Sequence, residues 1–206
     1  MRALVSVLMV VLTCGLRAQE KLTAEQQTWK DSCMVVWGRL DSEFQDPKTS
    51  PLSEADRANF TGLRHFPFDP KYHVIATFKP AEGARSFRMR TTTDRAPEYR
   101  PYGTLTFTLD SKAYTLTVYQ NLELIKRPGL ENYLFLPFTD LTNGEESYGG
   151  GRYIDLEGPL GPQVVVDLNL AYNPYCAYDH RFSCPIPPSE NHLPLEVKAG
   201  VLKFHE

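Results

Sequence analysis

The sequence predicts a mainly β domain of the α+β class: one N-terminal amphipathic helix, then an antiparallel β-barrel or sandwich of about seven or eight strands. Three observations carry this. A single stretch, 29–44, repeats its apolar residues at spacings of three and four. From residue 72 onward the apolar period drops to two, the side-chain period of a strand. Finally, the short strands follow one helix rather than alternating with helices, which favours antiparallel pairing.

Before the helix comes a segment of different character. Arg2, an apolar run over 3–12 and the ending Leu16-Arg17-Ala18 read as a secretory signal peptide over 1–18, cleaved after Ala18, leaving one domain over 19–206. Ten apolar residues are too few to span a membrane, so no integral membrane segment is expected after cleavage. Lipidation at Cys14 is the rival route, but Thr13 is a poor residue before a lipidated cysteine. Export to the bacterial periplasm or the extracellular space follows. Loss of Arg2 and Arg17 with the leader would lower the formal charge of −3 by a further two. A mildly acidic chain without a basic stripe argues against nucleic acid and anionic membranes as partners.

The helix places Trp29, Cys33, Val36, Trp37, Leu40 and Phe44 on one face; Thr23 with Gln26 forms its capping box, and Pro47 ends it. Cys33 on that face reads as a small buried hydrophobe. Four prolines and scattered apolar anchors make 45–71 an irregular connection. Strands follow at 72–79 and 86–93. The clearest hairpin joins 103–110 to 113–120 through Asp110-Ser111-Lys112, with Leu105, Phe107, Leu109, Leu116 and Val118 facing one way. Further strands are expected at 133–137, 152–157, 163–168 and 195–204.

Two segments hold the candidate chemistry. The first contains Tyr148, Gly149, Gly150, Gly151 and Arg152. Its glycines permit close backbone approach, and the guanidinium suits a carboxylate or phosphate. However, phosphate-cradling glycines lead into a helix, whereas these lead into a strand. A bent strand entry, with Arg152 paired to a buried acid such as Asp140 or Asp167, is the simpler account.

The second is the loop 172–188, with Tyr172, Pro174, Tyr175, Cys176, Tyr178, His180, Phe182, Cys184, Pro185, Pro187 and Pro188. So many prolines exclude a helix or central strand. In an exported chain Cys176 and Cys184 are expected to form a disulfide, worth roughly 2 to 3 kcal/mol. A zinc site adding His180 and His192, or a catalytic thiol, is the alternative; the cysteine spacing is wider than a zinc knuckle uses. Asp167, Asn169 and Asn173 approach the loop and Asn191 leaves it, as ligand contacts or as turn caps.

The runs TLTFTLD, FTDLTNGEESYGGGRYIDL and DLNLAYNPYCAYDHRFSCPIPPSENHLPLEVKAG resemble a bacterial and archaeal family, domain of unknown function 1684, over roughly 60–201. The family motif matches Asp167, Asn169, Ala171, Tyr172, Pro174, Cys176, Ala177, Tyr178, Phe182, Cys184, Pro185, Pro187 and Pro188. The resemblance implies a shared fold but no activity, so it supplies no catalytic residue. It also implies that His180 occupies a variable position, and that the cysteine pair occurs in members without export signals, as close, buried thiols.

Three functions remain open at this point. The first is a binding module holding a small ligand, anionic if Arg152 faces it, between the glycine-rich turn and the cysteine loop, with Tyr148, Arg152, Asp167, Asn169, Tyr172, Asn173, Tyr175 and Asn191 as contacts. The second is an enzyme, of hydrolase or other type, using Asp167, His180 or His192 on that surface. The third is a structural envelope-associated protein. No motif specifies a cofactor or an oligomeric state.

Overall fold

The structure, a computed structural model, describes residues 21–205. The expected leader and Cys14 lie outside the described residues. Helix α1 (Ala24–Gln45) begins where its cap predicts: Gln26 N–H donates to Thr23 Oγ1 at 3.2 Å and Thr23 N–H to Gln26 Oε1 at 2.9 Å. Its apolar face docks on the rest of the chain, with Cys33 and Phe44 buried, Trp29 stacked on His73 and Trp37 on His65. A short helix, α2 (Glu54–Ala58), interrupts the irregular connection. Among the described residues no helix is long and apolar enough to cross a membrane.

Eight strands follow: β1 (His73–Pro80), β2 (Phe87–Arg88), β3 (Glu98–Leu109), β4 (Lys112–Asn121), β5 (Tyr133–Asp140), β6 (Arg152–Glu157), β7 (Gln163–Asp167) and β8 (His192–Leu193). They form one sheet in the order β6-β5-β4-β3-β1-β7, with β2 on β3 and β8 on β5. All pairs are antiparallel except the two-residue parallel contact of β8 with β5. The end strands β6 and β7 do not pair with each other, so the sheet is a curled half-barrel rather than a closed barrel or a two-sheet sandwich. The β3–β4 hairpin turns at Asp110 and Ser111, both at positive φ (47° and 63°), the conformation a two-residue hairpin loop requires.

The trough of the half-barrel holds the main core. Leu105, Phe107, Leu116, Val118, Leu134, Leu136 and Ile154 project into it, and Leu168, Ala171, Leu193, Val197 and Ala199 plug it from the later chain. Between Pro101 and Gly103 the register of β3 against β4 shifts, a bulge that moves Tyr99 onto the outer face. There it joins Met89, Tyr119, Phe135 and Tyr153 in a separate aromatic cluster.

Two expected strands are corrected. Only Phe87–Arg88 of 86–93 is a strand, because the residues beyond pair with the cysteine loop instead: Thr92 N–H donates to Cys184 O at 2.9 Å and Ile186 N–H to Arg90 O at 2.8 Å. The segment 195–204 is not a strand. Its Val197 and Ala199 carbonyls accept from the Arg152 guanidinium, and Val197 N–H donates to Asp140, so these groups are committed to a side-chain cluster instead of a ladder.

Candidate cleft on the outer face

Strand β6 alternates, as any strand must. Arg152 and Ile154 point into the trough, while Tyr153 and Asp155 point outward. Cross-strand register then fixes the outer neighbours: Tyr119 lies opposite Phe135, and Phe135 opposite Asp155. Tyr133 is two residues from Phe135 and shares its face. The loop 172–188 crosses this surface, anchored where Tyr172 and Tyr153 exchange backbone hydrogen bonds of 3.0 and 2.9 Å and where the Tyr153 hydroxyl donates to Pro185 O.

Helix α1 stands away from this floor and leaves a cleft of about 700 Å³. The floor is Tyr99, Tyr133, Phe135, Tyr153 and Asp155; α1 contributes Trp37, Arg39, Leu40 and Glu43; the loop contributes Tyr172, Asn173, Tyr175 and Cys184. Such a space, mostly apolar with few polar groups, has the size of a small-molecule site.

Asp155 is its chemical centre. The hydroxyls of Tyr133 and Tyr172 both donate to Oδ1 at 2.7 Å, and among the described residues no donor is paired with Oδ2. Solvent reaches the carboxylate along the cleft, yet protein surrounds it on most sides. Desolvation therefore raises its pKa above the usual value, with the two tyrosine hydrogen bonds pulling the other way. Burial and the Asp155 charge hold Tyr133 and Tyr172 well above the ordinary tyrosine range, so both remain neutral donors.

The residues expected from sequence divide sharply. Tyr172, Asn173 and Tyr175 line the cleft. Arg152 does not. It is wholly buried behind the sheet, donating to Asp140 Oδ2 at 2.7 Å, to Val197 O at 2.8 Å and to Ala199 O. A guanidinium so enclosed cannot meet a ligand, and the pairing with Asp140 is the simpler account anticipated above.

The glycine-rich turn and the cysteine loop do touch, but by direct packing. A Cβ on Gly150 would stand 2.5 Å from the Tyr148 ring, and one on Gly151, at φ +89°, 2.7 Å from Pro187. Tyr148 OH lies 3.6 Å from Cys176 Sγ. Asp167 accepts from Asn169 N–H and Cys33 and faces His73 Nδ1 at 2.9 Å; Asn169 also fastens Asp69. Asn191 ties the Thr117 backbone to Pro137 O. Asp167, Asn169 and Asn191 act as internal fasteners, as Tyr148 does through Cys176.

The expected disulfide is absent. Cys176 and Cys184 are buried free thiols, and Cys184 Sγ accepts the Cys176 N–H at 3.2 Å. Hydrogen bonding from Cys184, supported by Tyr148 and Thr92, draws the Cys176 thiol down to about 6, and Cys184 rises correspondingly. Cys33, by contrast, is pushed up to about 12 by burial and by Asp167, an inert thiol. The histidines of the zinc alternative lie elsewhere: His180 is exposed, and His192 bonds Thr139 Oγ1 at 3.0 Å. Among the described residues no group of three or more His, Cys, Asp or Glu side chains is arranged to hold a metal.

Sequence reasoning missed Asp155 and Tyr133. The available signal was strand parity: with Ile154 inward, Asp155 must face outward, on the same side as a tyrosine two residues before Phe135.

A family profile described as a protein of unknown function, DUF1684, matches residues 58–202. No curated protein matches the chain. Among solved structures, the solution NMR structure of the uncharacterized protein from gene locus rrnAC0354 of Haloarcula marismortui is similar, at 35% identity and a TM-score of 0.68, covering 86% of this chain and 96% of that one.

Proposed function

From the premise that the chain belongs to the DUF1684 family of unknown function, we propose that it is an exported small-molecule binding protein whose ligand occupies the cleft between α1 and the outer sheet face. One observation carries the reading: a roughly 700 Å³ aromatic cleft contains a carboxylate with one oxygen saturated by two tyrosines and the other facing no protein donor. Asp155 is solvent-exposed, so its second oxygen faces water in the cleft and is open to a ligand's hydrogen-bond donor. The small-ligand expectation is thereby kept, while its location moves from the glycine-rich turn to the far side of β6 and its anionic character is dropped.

Protein-observed NMR with a library of small aromatic fragments tests the reading. Hits should perturb the amide signals of Phe135 and Asp155 and weaken in a folded Tyr172→Ala variant. A screen in which no fragment perturbs any cleft residue would end the proposal. Export has its own check, since the purified native protein should begin at Gln19 by intact mass.

A further inference from the structure

The lining of the cleft is distinctive enough to name its ligand's class, granted the reading that a small molecule binds there. Phe135 and Tyr153 meet at 76° with centroids 4.7 Å apart, and Tyr153 and Tyr172 at 87° and 5.8 Å. Rings in edge-to-face contact at these separations leave no room between them and so form one continuous aromatic wall of the cleft. Aromatic faces carry negative electrostatic potential and attract cations, most strongly where water is displaced. That wall ends on Asp155.

Charge selects the same class. The charged residues lining the cleft are Arg39, Glu43 and Asp155. Arg39 and Glu43 lie one helical turn apart on α1, at the rim, where opposite charges at that spacing offset one another. At the floor Asp155 has no cation beside it among the described residues, because Arg152 faces the trough behind the sheet and is engaged there by Asp140. An anion entering the cleft would meet an uncompensated carboxylate, and a neutral ligand that covered Asp155 would strip its water without supplying a counterion.

We propose that the ligand is an organic cation, an ammonium or guanidinium group on an apolar body, with its charge against Asp155 Oδ2 and its apolar body along the aromatic wall of Phe135, Tyr153 and Tyr172. The raised pKa of the empty site fits this assignment, since a bound cation would favour the ionised carboxylate. Affinity for a cation should therefore fall as the pH drops through the Asp155 pKa of the free protein, at a higher pH than an ordinary aspartate would give. The other titratable or charged groups facing this region are Tyr99, Tyr133, Tyr153, Tyr172, Tyr175, Cys184, Glu43, Arg39 and, beside Ser183, Arg95. The five tyrosines and Cys184 are all shifted upward, chiefly by burial for the tyrosines and by hydrogen bonding to Cys176 for Cys184. Glu43 is the other carboxylate of the lining, which a Glu43→Gln variant removes, and Cys176, drawn down to about 6 beside Cys184, is removed by Cys176→Ser.

The test uses three probes with the purified protein: benzyltrimethylammonium; neopentylbenzene, the same skeleton with carbon in place of nitrogen; and phenylacetate. Calorimetry supplies affinities, and amide shifts locate binding at Phe135 and Asp155. The cation, which has no N–H and meets Asp155 by charge alone, should bind about tenfold or more tighter than its neutral counterpart. Asp155→Asn should remove about that factor for the cation alone. Its affinity should decline with falling pH in both the parent and Glu43→Gln, while that of neopentylbenzene stays level. Equal or tighter binding of the neutral skeleton, or a cation affinity independent of pH, would overturn the cation assignment and leave cleft binding intact. Should none of the three probes perturb cleft residues, the cation assignment fails, and an empty fragment screen alongside it removes the binding reading as well. The pH titration of the parent decides the matter even if Asp155→Asn does not fold.

Discussion

Arg152 and Asp155 stand three positions apart on one strand, so the pleat turns them to opposite faces of the sheet, where the protein treats their charges in opposite ways. Arg152 is enclosed with Asp140 as its counterion and two backbone carbonyls as acceptors. Asp140 is itself completed by Thr142 and by the Val197 N–H. Asp155 keeps two neutral partners on one oxygen, lies in reach of solvent, and among the described residues has no cation beside it. The first arrangement fixes how the 195–204 segment lies across the trough. The second leaves binding capacity unused. A charged residue in a dense motif is thus a poor guide to function unless its partners are known.

The sharpest way to break this comparison is to remove the enclosed charge. Arg152→Met should cost about 3–5 kcal/mol, because Asp140 is left buried without its counterion, as read from urea unfolding. A loss below about 1 kcal/mol would show the pair to be less committed than its burial indicates. Next in size is Gly151→Ala. At φ +89° with a new Cβ 2.6 Å from Phe138 O, it should destabilise by about 2 kcal/mol, whereas Gly149→Ala, whose nearest contact is at 3.7 Å, should change stability far less.

Asp155→Asn should behave oppositely to Arg152→Met. With its folded pKa above the unfolded value, Asp155 adds stability that is fully present below the unfolded pKa and is lost as the pH rises through the folded one. At neutral pH the Asn variant should therefore match or exceed the parent, within about 1 kcal/mol, and thermal melts across pH 3–8 should lose that component of their pH dependence. The smallest effect belongs to Tyr133→Phe. Losing one donor to the ionised carboxylate should raise the Asp155 pKa further, as followed by carboxyl-carbon NMR, with stability altered by about 1 kcal/mol or less.

Much of the frame was legible because local rules decided it. The capping box places the start of α1, and the alternation of Leu105, Phe107 and Leu109 with threonines places the hairpin. The segment 195–204 was not legible, because its backbone is held by a guanidinium more than forty residues earlier in the chain. The same holds for the site. Tyr133 and Tyr172 reach Asp155 across 22 and 17 residues, and only the register of β5 on β6 and the lie of the cysteine loop bring them together. The loop's own density of Cys, Tyr and Pro marks a segment that walls the cleft, and in the structure its two thiols lie side by side without a bond between them.

The chain has two tryptophans, and the docking of α1 sends them to different places. Trp37 lines the cleft, with its indole N–H on Asn169 O at 3.1 Å and its ring 4.1 Å from His65, a histidine whose pKa burial lowers. Trp29 is outside the cleft lining, stacked 4.0 Å from the His73 ring. Occupancy of the cleft should therefore alter the emission of one indole and spare the other. In a Trp29→Phe variant the protein would carry a single tryptophan, beside the proposed ligand, so that binding could be followed by selective indole excitation without any label.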